Sequence, residues 1–185
     1  MTIMKTKQTG KSIASSRNGP FGNGELKLAL SAGILIMLGA CTAPGPSESF
    51  TRTMDVQAAP SAVWEMIGPF CSIQDWHPVV GTCEEDGNTP PTRTIVTADG
   101  QATFVELQTA RDDAAYSYSY TILSSPLPLT DYTATISVAD DGSGMSTITW
   151  TSVYNANEGN EQDVIGALTG VYESGLAAIA ASAAQ

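Results

Sequence analysis

The sequence predicts an α+β domain in which seven mostly hairpin-linked, antiparallel strands share a core with a long C-terminal helix. Three observations predict it. Residues AYSYSYTIL (115–123) alternate, with Tyr116, Tyr118, Tyr120 and Ile122 on one face and serines and a threonine between them, the two-residue period of a half-buried strand. Turn signals such as Asp99-Gly100 separate neighbouring strand-like runs, as tight hairpins require. From Glu161 to about Ala183, Val164, Leu168, Val171, Tyr172, Leu176 and Ile179 recur three and four apart, which gives one face of a helix an apolar stripe for the core.

In chain order, FTRTMDVQA (50–58) is a polar-rich first strand. APSAVWEMIG (59–68) carries Pro60 in a first helical turn and stops at Gly68-Pro69, a pair that cannot continue a helix. His77, the only histidine, precedes Pro78 and ends a second short helix, with Trp76 packing beneath it. GTCEED (81–86) is a short strand. TRTIVTA (92–98) and QATFVELQT (101–109) meet across Asp99-Gly100, and a regular hairpin pairing 98 with 101 sets Arg93 opposite Glu106 as a cross-strand salt bridge. Such a pair is worth little on the outside of a sheet, whereas a buried one would polarise a ligand in an interior cavity. YTATISVA (132–139) and MSTITWTSVY (145–154) flank ADDGSG, another hairpin signal. Asn160 is a candidate cap for the last helix, with Glu161 and Asp163 placed favourably toward its dipole.

The N-terminus has a different character. Lys5, Lys7, Lys11, Arg17 and Lys27 precede the uncharged run LALSAGILIMLGA, residues 28–40. A membrane-spanning helix needs about 20 apolar residues, so a shorter run with a basic flank and a small-residue exit reads as a secretory signal. Leu38-Gly39-Ala40-Cys41 resembles the lipobox of bacterial lipoproteins. That resemblance implies a signal peptide over 1–40, diacylglyceryl transfer to Cys41 and attachment to the membrane through the acylated N-terminus. Thr42 follows the cysteine rather than an Asp, which in the enterobacterial sorting pattern implies outer-membrane delivery, with the domain in the periplasm. TAPGPSES (42–49) is a flexible tether, and one domain is expected over 50–185.

From Cys41 onward three arginines face eighteen acids, a net charge of about −15, and no lysine remains. Such a field repels nucleic acid and anionic head groups, and the missing lysine removes the usual Schiff-base nucleophile. Acidic, lysine-poor surfaces also serve solubility in salty surroundings, so charge alone leaves the ligand open.

The order of strand, short helix pair, six strands and long C-terminal helix is that of the helix-grip fold, a seven-stranded curved antiparallel sheet around its last helix. APSAVWEMIGPFCSIQDWHPVV, the central hairpins from TRTIVTADG to TATISV, and GALTGVYESGLAAIA carry a resemblance to the START / birch-pollen-allergen superfamily (SRPBCC), in its polyketide cyclase/dehydrase-like branch. The resemblance covers about residues 50–182. It implies a cavity between the concave face of the sheet and the long helix, with its mouth near the short helices. Lining is then expected from Trp76 and His77, from Tyr116, Tyr118 and Tyr120, from Tyr132 and Ile136, from Trp150 and Tyr154, and from Tyr172, with the Pro-stiffened loop SSPLPLTDY (124–132) bordering the entrance. Phenols in an apolar pocket orient a ligand by single hydrogen bonds, although aromatic residues on such a face also serve simply to fill a core. The function implied is binding of a small hydrophobic or amphipathic molecule, lipid or polyketide-like. The alternatives are a cyclase or dehydratase acting on a polyketide-like substrate, and an envelope assembly or stress lipoprotein whose cavity is filled. Fold does not choose among these.

FCSIQDWHPVVGTC (70–83) bears on the chemistry. A zinc site on Cys71, His77 and Cys83 lacks a further protein ligand and needs reduced thiols. Asp75 and His77 are two apart, a spacing that does not face on a helix, and no nucleophile motif accompanies them. A Cys71–Cys83 disulfide is the favoured reading. It suits an oxidising compartment and closes a loop of about 13 residues, a constraint worth about 3 kcal/mol. No metal or cofactor is expected.

Overall fold

A computed structural model describes residues 47–184. The expected signal segment 1–40, the expected acylation site Cys41 and most of the expected tether lie outside the described residues. The elements run β1 (Glu48–Val56), α1 (Pro60–Ile67), α2 (Ile73–Trp76), β2 (Val80–Glu85), β3 (Thr92–Thr97), β4 (Thr103–Asp112), β5 (Ser117–Ser124), β6 (Leu129–Asp140), β7 (Ser146–Ala156) and α3 (Glu161–Ala183). The strands form one antiparallel sheet in the order β1-β7-β6-β5-β4-β3-β2. The chain thus meanders from β2 to β7, and β1 returns to the β7 edge. This is the helix-grip arrangement.

Each strand's alternation sends one set of side chains to the concave face. Ile148, Trp150, Ser152 and Tyr154 of β7 are buried, as are Tyr132, Ala134, Ile136 and Val138 of β6. Register shifts interrupt the ladders between Val80 and Thr82, Val105 and Glu106, Gln108 and Ala110, and Thr130 and Thr133. Extra residues of this kind bend and twist a sheet locally, which lets it curl around α3. That helix has the length and mean hydropathy (1.5) of a membrane span. Its apolar face is nevertheless part of the core, with Val164, Leu168, Tyr172, Leu176 and Ile179 all buried.

The described residues contain three arginines, and each ties two elements together. Arg52 bonds Glu173 (2.8 Å) and Thr169 (3.3 Å) of α3 from β1. Arg93 on β3 bonds Glu106 on β4 and the Phe70 carbonyl. Arg111 on β4 bonds the Gly68 carbonyl at the end of α1 (2.6 Å) and pairs with Asp113. The predicted disulfide is present: Cys71 and Cys83 are joined at 2.01 Å, linking the approach to α2 with β2.

Several local expectations need correction. β1 starts at Glu48, which pairs with Tyr154, so the strand claims two residues assigned to the tether. Tyr116 lies outside β5, with φ of 48°. It is therefore off the alternation it appears to begin, and it rests against Trp64, ring centres 6.1 Å apart. Asn160 does not cap α3 with its side chain: its Nδ2 donates to the Glu158 carbonyl, while its own carbonyl accepts from the Val164 N–H. Gly159 turns the chain there with φ of 80°, a conformation that favours glycine.

Candidate functional site

The concave face and α3 do not close completely on each other. Ile95, Phe104, Glu106, Tyr120, Ile122, Tyr132 and Trp150 from the sheet face Leu168, Val171 and Tyr172 from the helix. Ile73, His77, Val79 and Val80 close one side, Leu127 of the β5–β6 loop borders another, and the enclosed cavity measures about 70 Å³. That is small beside the roughly 300–1,000 Å³ of typical ligand pockets. Val79, Val80, Thr97, Phe104, Ile122, Leu127 and Val171 are partly or fully exposed and form the mouth, while the deeper residues are buried. A depression of about 340 Å³ adjoins it and shares Ile122 and Tyr132, but only the end of β5, the start of β6 and the loop between them line it, with nothing from α3 or the short helices.

His77 sits at the cavity wall with both ring nitrogens occupied. Nδ1 accepts from the Val79 N–H (3.3 Å), so the neutral ring carries its proton on Nε2, which donates to the Val171 carbonyl of α3 (3.1 Å). Burial lowers its pKa to about 4; the Val171 hydrogen bond opposes that shift, and the positive charge of Arg93 adds to it. A neutral histidine with no free nitrogen is a structural link between the α2 segment and α3. It is not poised for proton transfer, and neither nitrogen meets Asp75.

This link depends on Gly175. A Cβ there would fall 2.8 Å from His77 Cδ2, 2.9 Å from Nε2 and 3.2 Å from the Trp150 ring. The imidazole cannot retreat without giving up a bond on either side, and Trp76 and Trp150 flank it. Gly166 and Gly170 of the same helix have open space where a Cβ would go. Gly175→Ala is therefore expected to destabilise the fold by about 1–3 kcal/mol through overpacking. Gly166→Ala and Gly170→Ala should each stabilise it by up to about 1 kcal/mol from helix propensity. Urea unfolding of the three variants checks this, and the same sign for all three would refute the contact.

The aromatic wall is cross-linked by hydrogen bonds. The Tyr132 and Tyr172 hydroxyls lie 2.6 Å apart, the Trp150 indole N–H donates to the Tyr120 hydroxyl (3.1 Å), and Trp150 stacks on Tyr172 with ring centres 4.2 Å apart. Burial raises the pKa of Tyr120 and Tyr132 well above the ordinary phenol value and pushes Tyr172 up to about 12. All three stay protonated near neutral pH.

Beneath the cavity lies the buried ion pair. Arg93 is 1 % exposed. Its Nε and Nη2 meet Glu106 Oε2 at 2.8 and 2.7 Å, its Nη1 bonds the Phe70 carbonyl, and its guanidinium lies 4.0 Å from the centre of the Phe70 ring. Desolvation pulls the guanidinium pKa down, but Glu106 and the neighbouring Tyr118 and Tyr120 outweigh it, so the net shift is upward and Arg93 remains charged. The β3–β4 register does set Arg93 opposite Glu106. The pair faces inward, and Glu106 borders the cavity.

Of the residues predicted to line the site, His77, Tyr120, Tyr132, Trp150 and Tyr172 do border the cavity. Trp76, Tyr118, Ile136 and Tyr154 are buried in the core away from it, and Tyr116 packs on Trp64 before β5. Tyr118, for example, stands edge-on to Phe70 at 5.6 Å. Sequence reasoning did not assign Ile73, Ile95, Phe104, Leu168 or Val171 to the wall. Phe104 was within reach of it, because it shares the strand parity of Glu106.

The sequence profile of the family described as polyketide cyclase / dehydrase and lipid transport matches residues 47–184. Among solved structures the chain is similar to the protein XoxI from Bacillus cereus, with 28% identity and a TM-score of 0.69 over 74% of this chain and 96% of that one. It is also similar to an uncharacterized protein from Bacillus thuringiensis, with 26% identity and a TM-score of 0.70 over 75% and 100% of the two chains. A solution NMR structure from Thermobifida fusca shares 26% identity, with a TM-score of 0.65 over 71% of this chain and 90% of that one. No curated protein matches the sequence.

Proposed function

The chain belongs to the polyketide cyclase / dehydrase and lipid transport family, and from that premise we propose that it binds a small hydrophobic or amphipathic molecule in the cavity between its sheet and α3. The observation that carries this is the cavity itself, a space walled mainly by apolar and aromatic side chains from every layer of the fold. Binding is favoured over cyclase or dehydratase chemistry because the groups such chemistry would enlist are committed elsewhere. Both nitrogens of His77 are bonded, the Tyr132 and Tyr172 hydroxyls bond each other, and the Tyr120 hydroxyl accepts from Trp150.

The proposal extends to location. A basic flank, an apolar run and Leu38-Gly39-Ala40-Cys41 support a lipoprotein acylated at Cys41, carrying its domain into the periplasm with the outer membrane as destination. The Cys71–Cys83 disulfide fits an oxidising compartment. Native mass spectrometry of protein purified from the cell envelope tests both parts. The expected result is a chain beginning at a diacylglyceryl-modified Cys41, accompanied by a non-covalent adduct that denaturation removes. A chain retaining residues 1–40 would sink the anchor. The absence of any adduct, even after incubation with lipid extract, would sink the carrier.

A further inference from the structure

Glu106 is the only charged side chain among the described residues that line the cavity. Both of its contacts with Arg93 fall on a single oxygen, Oε2, and no described residue bonds Oε1. Arg93 itself does not reach the cavity wall; it is shut behind Glu106 and Phe70. What faces the apolar space is therefore the acceptor half of a neutralised pair. A donor supplied to a carboxylate oxygen in an apolar cavity, where the protein itself offers none, gains more than an ordinary hydrogen bond.

Building on the cavity as binding site, we propose that its ligand is a neutral apolar molecule carrying a hydroxyl group, alcohol or phenol, which donates to Glu106 Oε1 while the hydrocarbon packs against Ile95, Phe104, Ile122 and Leu168. Charge selects the class. A carboxylate would meet Glu106 head-on without reaching the guanidinium behind it. An ammonium would lose its hydration and sit close to Arg93, whose charge Glu106 already balances. A hydroxyl brings one donor, no net charge and little desolvation. Glu106 is on this assignment the residue that sets ligand specificity.

Isothermal titration of the full chain at neutral pH with p-cresol, toluene, 4-methylbenzoate and 4-methylbenzylammonium tests it, because the four share a tolyl body and differ in the polar group. The expected order is p-cresol tighter than toluene by roughly tenfold or more, despite the weaker hydrophobic drive of the phenol, with both ions weaker than toluene. In Arg93→Met/Glu106→Leu, which removes the pair without leaving either charge unpartnered, the p-cresol to toluene ratio falls to about one. Equal affinities for p-cresol and toluene in the natural chain, or a ratio that survives in the double variant, would overturn the hydroxyl assignment and leave the binding function standing. Binding by none of the four would overturn both.

Discussion

Arg93→Met is expected to lower the unfolding free energy by about 3–5 kcal/mol, the range for breaking a buried ion pair from one side. Methionine fills much of the volume but leaves the Glu106 carboxyl without its partner at the cavity floor. It also removes the hydrogen bond to the Phe70 carbonyl and the cation on the Phe70 ring. A loss of that size is a large part of the roughly 5–15 kcal/mol that holds a typical domain together. The second substitution distinguishes charge from packing. Arg93→Met/Glu106→Leu replaces the pair by apolar groups, an exchange that is often close to neutral, so most of the loss should return. Urea unfolding of the two variants beside the natural chain measures both terms. A single variant within about 1 kcal/mol of the natural chain would mean the pair is solvated, as a surface bridge is.

Acidification should weaken the fold through His77. The free side chain titrates at 6.5, but in the fold it takes a proton only at about pH 4. The unfolded chain therefore binds the proton first, and stability rises with pH across that interval. The contribution is fully present above about pH 6.5 and declines by about 3 kcal/mol as the pH falls to about 4. The physical event is specific: protonating Nδ1 sets a donor against the Val79 N–H that it now accepts from. Four aspartates with lowered pKa act chiefly below this interval. Hydrogen bonds hold Asp86 (from Thr92 and Asn88), Asp99 (from Thr97 and Gln101), Asp113 (from Arg111 and Trp64) and Asp141 (from Ser143) below the usual aspartate range, so their contributions fade mainly below about pH 4. Stability measured from pH 7 to 4 in the natural chain and in His77→Gln should diverge in slope. Parallel curves would show that another group carries the dependence.

Both effects arise where local pattern stops being informative. Alternation and turn chemistry are properties of neighbouring residues, so seven strands, the Asp99-Gly100 hairpin and the 161–183 helix could be read from the chain directly. The hairpin register even placed Arg93 opposite Glu106, because a two-residue period fixes which residues pair. The cysteine spacing was likewise readable, since the short loop between Cys71 and Cys83 lets one bond close it.

What alternation cannot state is what covers each face. Arg93 and Glu106 share a face of the sheet whether that face meets solvent or α3, and only the curvature around the helix buried them. The same limit divided the aromatic residues. Tyr118 and Tyr120 have the same parity, yet Phe70 and Trp64 occupy the space over the first, while the second reaches the cavity. Tyr116 departed from the pattern because its backbone adopts a positive φ. The sequence by itself determined the elements, their pairing and the disulfide, since these follow from local periodicity, turn residues and spacing. Only the tertiary structure decided which residues face the cavity, which nitrogen of His77 carries the proton and that Glu106 borders the cavity while Arg93 does not, because each depends on contacts between segments far apart in the chain.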